Sequence, residues 1–289
     1  SALTANAISV TNAASGINAG DGVDVLTVND TNSTLTGADN ALDTANYQFT
    51  SVETVDLADN ALTGTANADT FDVTGANALT SADIDFTNVS SVDAGNGADQ
   101  LNTTEATLVA GTNEALTSNN ISFTDIESAD LGDGTLTGTA NADAFDVTGA
   151  NAITSAGIDF TNVEVVNADD GADQVSTDGA DASLFAELGS AVDYALETLG
   201  ITFRETENAD LNGGTLAGSS EADSFEVTGT TLTANEISVT NAASAINAGN
   251  GDDSVTVNDA NSTLTGSDNA LNTANYQFTS IDSVDLADN

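Results

Sequence analysis

Four loops carry the residue types and spacing from which chemistry could be built. They read Gly20-Asp-Gly-Val-Asp24, Gly95-Asn-Gly-Ala-Asp99, Asp169-Asp-Gly-Ala-Asp173 and Gly249-Asn-Gly-Asp-Asp253, so their last aspartates recur at a nearly even step along the chain. Glycine lets a turn reach positive φ and aim carbonyl oxygens inward. The aspartate adds a carboxylate, so the set offers hard oxygen donors of the kind Ca²⁺ takes. The plain alternative is a tight turn bearing a solvated acid. A second phrase keeps the same step, running from Gly64 to Val73, Gly138 to Val147 and Gly218 to Val227. It carries the acids Asp69, Asp143 and Asp223.

Other chemistry is poorly supplied. The chain has one Lys or Arg against 46 Asp and Glu, and no His, Cys, Met, Trp or Pro. The commonest catalytic bases, thiol nucleophiles and zinc ligands are therefore missing. Hydrolysis by paired acids is still open by residue type. A formal charge of −45 argues against nucleic acid and anionic membrane surfaces as partners and in favour of divalent cations. No apolar run approaches the ~18 residues that a membrane span needs, so membrane insertion is not expected. High acidity with few aromatics also fits disorder, but 39% hydrophobic residues, recurring in register, argue for a folded chain.

The elements that must position these loops repeat at nested periods. Leu3–Asn60 and Leu232–Asn289 are nearly the same sequence at a shift of 229 positions (232 − 3), differing at twelve of them. Inside this large repeat lies a unit of about 75 residues, which halves again, a nesting typical of repeat architectures. The phrase Ile-x-Phe-Thr-x-Val begins at Ile84, Ile121, Ile158 and Ile201, with variants at Ile8, Tyr47, Ile237 and Tyr276. The underlying quantum is about 37 residues, within the range of known structural repeats. The chain lacks an initial Met and stops inside a repeat, which suggests a window of a longer array. We expect residues 1–289 to form one continuous repeat array.

Within each quantum the pattern is that of a strand. Ile84 and Phe86 alternate with Asp85 and Thr87, the period of a half-buried strand. Asn, Asp and Gly cluster between such runs, as turns require. Short strands at even spacing predict an all-β fold, a repetitive parallel β-solenoid or β-roll. A quantum of about 37 residues suits two coils of about 18–19 residues or one large three-sided coil. A tandem sandwich array is less compatible, since such domains need about 100 residues each. Phe86, Phe123, Phe160 and Phe203 are expected in the core. Asn12, Asn88, Asn162 and Asn241 follow Thr in register and could stack as amide ladders.

One segment breaks the pattern. Leu184, Leu188, Val192, Ala195 and Leu199 recur at steps of three and four, predicting a short inserted helix over 182–199. Asp181 or Ser183 would cap its start and Gly200 its end. Arg204, the single cation, follows it and is expected to form a local ion pair of small value.

Ala19–Thr27, Ala94–Asn102 and Ala248–Thr256 resemble the nonapeptide Gly-Gly-x-Gly-x-Asp-x-U-x of haemolysin-type RTX calcium-binding repeats, where U is a large apolar residue. Ala replaces the first glycine in each, and Ala168–Ser176 loses the second as well, to Asp169. Leu62–Phe71 is similar to the opening stretches of such arrays in large bacterial adhesins. The resemblance implies Ca²⁺ held by Gly20, Asp21, Gly22 and Asp24; by Gly95, Gly97 and Asp99; by Asp169, Gly171 and Asp173; and by Gly249, Gly251 and Asp253. Asp69, Asp143 and Asp223 match with weaker loops. In the family the nonapeptides run back to back, whereas here a good one occurs once per pair of quanta. The implied protein is an extracellular or cell-surface bacterial repeat protein, not an enzyme: a fibre, surface layer or adhesin stalk that assembles with copies of itself. The alternative is a carbohydrate-active or carbohydrate-binding β-helix module. For that reading the sole unique region offers Glu187, Tyr194, Glu197 and Arg204.

Overall fold

The computed structural model describes residues 3–5, 8–10, 16–29, 32–185, 195–258, 263–264 and 269–286. The chain forms two compact units, Ser1–Asp130 and Leu131–Asn289. Each is a β-solenoid built from parallel rungs, and among the described residues there is no helix.

The first unit contains two hydrogen-bonded ladders. One is ordered Val25–Thr27, the start of Thr54–Thr63, the start of Ile84–Asp93, Ala78–Ser81, Thr70–Gly75 and Gln100–Asn102, then residues 128–130. The other is ordered Gly16–Asn18, Gln48–Thr50, Ala41–Thr44, Ser33–Leu35, the ends of Thr54–Thr63 and Ile84–Asp93, Ile121–Thr124, Ala115–Ser118 and Glu105–Leu108. Thr54–Thr63 and Ile84–Asp93 belong to both because each turns a corner midway. The corner residues Ala58, Asp59 and Asn88 lie at φ of 48°, 65° and 53°. This left-handed region bends a strand within one residue, and Asn tolerates it better than most.

Parallel partners lie about thirty residues apart, as Thr70 with Gln100 and Gly16 with Gln48. In the first unit these separations fit neither of the coil lengths expected from the sequence, and in the second they widen to 37 at Val165 with Thr202, beside the long hairpin. The chain does not climb one rung at a time. It crosses from residue 63 through the Gly64 loop to Thr70–Gly75, two strands beyond the next free place. Ala78–Ser81 then runs back antiparallel, and Ile84–Thr87 fills the place against Thr54–Asp56. The next such hairpin, residues 105–124, is made in the other ladder. The short quantum is thus one antiparallel hairpin, placed alternately in the two ladders. The unit of twice that length is one hairpin in each. Between Thr54 and Ser128 the first ladder gains five strands, roughly 24 Å at about 4.8 Å per strand.

The second unit repeats the scheme, with hairpins at 144–160 and 224–240 in one ladder and at 182–204 and 263–279 in the other. The expected helix over 182–199 is corrected here. Ala182–Leu184 and Ala195–Thr198 are strands, paired antiparallel with Ala182 opposite Thr198 and Leu184 opposite Leu196. Residues 186–194 lie outside the described residues. This segment fills a hairpin slot of its ladder, and cross-strand bonding overrides a local helical stripe. Leu199 is 43% exposed at φ 47°, so the end of the stripe faces no core. Ala195 follows Leu184 by eleven positions, whereas Ala115 follows Leu108 by seven in the preceding hairpin of that type, and these four residues supply most of the six by which the step from Ile158 to Ile201 exceeds that from Ile84 to Ile121.

Alternate residues of each strand point inward and are buried. Phe71, Phe86 and Phe123 in the first unit, and Phe145, Phe160, Phe203, Phe225 and Phe278 in the second, are 0–1% exposed. Aromatic pairs span the core between the two ladders: Phe71–Phe123 at 6.5 Å, Phe145–Phe203 at 6.3 Å and Phe225–Phe278 at 5.6 Å between centroids. Each pair joins one hairpin from each ladder, once per pair of quanta.

Candidate functional site: the loop aspartate staircase

The glycine loops lie where the chain passes from one ladder to the other, and successive loops stack. In the first unit the 64–69 loop, the 94–99 loop and the 125–127 turn form three steps. The Asp69 Oδ2 accepts the Thr65 N–H of its own loop at 2.5 Å. The Asp69 N–H donates to Asp99 Oδ1 at 2.7 Å, and the Asp99 N–H donates to Glu127 Oε2 at 2.7 Å. Every step thus places a carboxylate against the backbone amide of the step below. The first loop follows the same rule, with the Asp24 N–H donating to Glu53 Oε2 at 2.9 Å.

The second unit holds two further staircases. In one, the Thr139 N–H meets Asp143 Oδ2 at 2.6 Å, the Asp143 N–H meets Asp173 Oδ1 at 2.7 Å, and the Asp173 N–H meets Glu207 Oε2 at 2.8 Å. In the other, the Ser219 N–H meets Asp223 Oδ2 at 2.6 Å, the Asp223 N–H meets Asp253 Oδ1 at 2.8 Å, and the Asp253 N–H meets Asp282 Oδ2 at 3.1 Å.

The glycines allow the steps to nest. A Cβ on Gly95 would sit 2.4 Å from the Thr65 carbonyl oxygen, and one on Gly97 2.7 Å from that of Asn67. These are backbone atoms that cannot swing aside, and φ at Gly95 is +98°. Where Asp169 replaces a glycine it still takes φ +70°, a left-handed conformation for which its short polar side chain is suited.

The expected site residues therefore separate into groups. Asp99, Asp173, Asp253 and Asp223 are buried, while Asp24, Asp69 and Asp143 are half-buried. Asp21 and Asp169 are exposed at the loop tips, and Gly20, Gly22, Gly97, Gly171 and Gly251 are exposed backbone positions. Glu53, Glu127, Glu207 and Asp282 were missed as members of the site. Each stands four residues after the phenylalanine of a hairpin in the second ladder, at Phe49, Phe123, Phe203 and Phe278. That constant offset is the signal that identifies them.

Electrostatics mark the middle step. Burial pushes the Asp99 and Asp253 carboxyls above the ordinary carboxylate range, against the opposing hydrogen bonds from the Asp69 and Asp223 amides, and neighbouring acids add repulsion. Asp173 is pushed furthest, to about 6, by burial first and then by Glu207, Asp143 and Asp169, while the Asp143 amide works against the rise. The Oδ2 atoms of Asp24, Asp99, Asp173 and Asp253 are buried without a hydrogen-bond partner. Four equivalent positions share this orphaned oxygen. It leaves one hard donor per strong loop, chemistry that suits Ca²⁺. The carboxylates do not converge, however: among the described residues no three acidic side chains gather closely enough to hold a metal ion.

The asparagines take another role than the expected amide ladder. Asn88, Asn162 and Asn241 are left-handed corner residues, at φ of 53°, 53° and 52°. The Asn88 Nδ2 donates to Asp56 Oδ1 at 2.9 Å and the Asn241 Nδ2 to Asp210 Oδ1 at 2.9 Å, one rung away. A neutral donor thereby separates rows of acids. Asn12 lies outside the described residues. Of the unique region, Glu187 and Tyr194 also lie outside them. Glu197 and Arg204 sit on adjacent antiparallel strands, where Arg204 pairs in register with Ala195 and Asn167.

Among the described residues no helix is long and apolar enough to cross a membrane. No family model, curated protein or solved structure matches the chain.

Proposed function

We propose that the chain is a structural repeat segment of the cell exterior, part of a bacterial fibre, surface layer or adhesin stalk, with its loops stabilised by calcium and its length extended by further copies. One observation carries the reading. The two near-identical segments adopt the same pairing register at equivalent positions: Leu3 with Val10 and Leu232 with Val239, Ile17 with Phe49 and Ile246 with Phe278, Val25 with Thr54 and Ser254 with Ser283. A module that reproduces its register while twelve side chains change suits a spacer, because solenoid repeats touch only their neighbours and lengthen without redesign. The acids of the staircases support the spacer component, since they are engaged by backbone amides and do not converge on a groove, while the calcium component rests on the unpartnered Oδ2 atoms of Asp24, Asp99, Asp173 and Asp253.

Electron microscopy of the native material tests the proposal. Filaments or a regular sheet are expected, and isolated compact particles would overturn it. The calcium component is tested separately by melting the protein at equal ionic strength in millimolar Ca²⁺ and in chelator. A cation that binds only the folded state raises the melting temperature by mass action. Identical melting temperatures would reduce the loops to turns.

A further inference from the structure

We propose that Asn96 and Asn250 are sites of spontaneous deamidation in the folded protein, and that Asn212, in the same Asn-Gly dipeptide, is protected. The chain contains three Asn-Gly pairs, at 96–97, 212–213 and 250–251. In such a pair the glycine nitrogen loses its proton to solvent and attacks the asparagine Cγ. A C–N bond forms, the Cγ–Nδ2 bond breaks, and ammonia leaves. Water then opens the five-membered imide at either carbonyl, giving aspartate or isoaspartate. The net change is amide plus water to acid plus ammonia, with no oxidation or reduction.

The structure sorts the three pairs by the freedom of that nitrogen. The Gly213 N–H donates to the Asn241 carbonyl at 2.6 Å. Asn212 is also tied through its side chain, its Nδ2 donating to Ser176 Oγ at 3.3 Å. Attack at Asn212 therefore requires the corner to open first. Among the described residues, the Gly97 and Gly251 N–H groups donate no hydrogen bond. Asn96 and Asn250 are exposed at their loop tips, and Asn250 lines an open polar groove with Asn269, Thr279 and Asp282. Water and base reach both.

The equivalent positions of the other two loops are already aspartate, Asp21 and Asp170. The aspartate product therefore suits the loop. Isoaspartate does not, because it adds a methylene to a backbone nested against the loop below, where Gly97 faces the Asn67 carbonyl and Gly251 that of Glu221 with no room for a Cβ. Each conversion by either route adds one negative charge beside a staircase.

Ageing the intact chain in mildly alkaline buffer, folded and in urea, tests the proposal, with peptide mass spectrometry resolving amide, aspartate and isoaspartate. In urea the three sites should convert within about threefold of one another, since the dipeptide is the same. In the folded protein Asn96 and Asn250 should convert at least about tenfold faster than Asn212, the factor that about 1.4 kcal/mol of opening free energy supplies. Asn212 keeping pace with the other two in the folded protein would overturn the proposal. So would Asn96 and Asn250 staying amidated there while converting in urea.

Discussion

Replacing Asp173 by asparagine isolates the cost of the buried charge in the middle step. The Asp173 side chain is 0% exposed, its Oδ1 accepts the Asp143 amide at 2.7 Å, and its Oδ2 has no partner. Its carboxyl rises from 3.8 to about 6 on folding, chiefly through burial. A folded-state pKa above the unfolded one means that the folded chain holds the proton more tightly. The associated stabilisation is complete below about pH 3.8 and is lost as pH rises through about 6. At about 1.4 kcal/mol per pKa unit the full loss is about 3 kcal/mol, and relaxation of the loop brings the expected value to about 1–3 kcal/mol. Asp173→Asn keeps the Oδ1 acceptor and cannot ionise. It should therefore be more stable than wild type by about 1–3 kcal/mol at about pH 8, with the difference shrinking below about 1 kcal/mol near pH 4. Urea denaturation in chelator, followed by circular dichroism, measures both values without a cation to neutralise the site. Hydrogen exchange at the Asp143 amide reports the same step locally. A variant less stable than wild type at the higher pH, or a difference that does not change with pH, would refute the reasoning.

Gly64→Ala should cost about 3 kcal/mol or more in urea, because its Cβ would lie 2.1 Å from the Ala94 carbonyl oxygen; Gly75→Ala, with nothing within 4 Å, should cost no more than about 1 kcal/mol. Phe145→Ala should lose about 3–5 kcal/mol by opening a cavity against Phe203, while Phe185→Ala, 38% exposed before truncation, should stay within about 1 kcal/mol of wild type. Asn88→Ala should lose about 1–2 kcal/mol, and Asn88→Gly distinctly less if φ 53° rather than the bond to Asp56 is what matters; equal losses would assign the effect to the side chain.

Much of this architecture is legible in the residues. The alternation of Ile84, Phe86 and their repeats follows from the two-residue period of a strand, and it placed the phenylalanines in the core. The glycine–aspartate loops also stand where the spacing locates them, because turns are local and glycine is needed wherever two backbones touch. Other features depended on which rung lies beside which. The thirty-residue rung spacing follows from a chain that jumps ahead and then folds back, and no local period encodes that path. Glu53, Glu127, Glu207 and Asp282 join the staircases only because they sit 28–34 residues beyond the aspartates whose amides they accept. Leu184 and Leu196 occupy strands because a ladder slot needed filling, although their neighbours are spaced for a helix. Local periodicity is set by the geometry of a single backbone, whereas partner choice is set by hydrogen bonds and burial between segments that the sequence keeps apart.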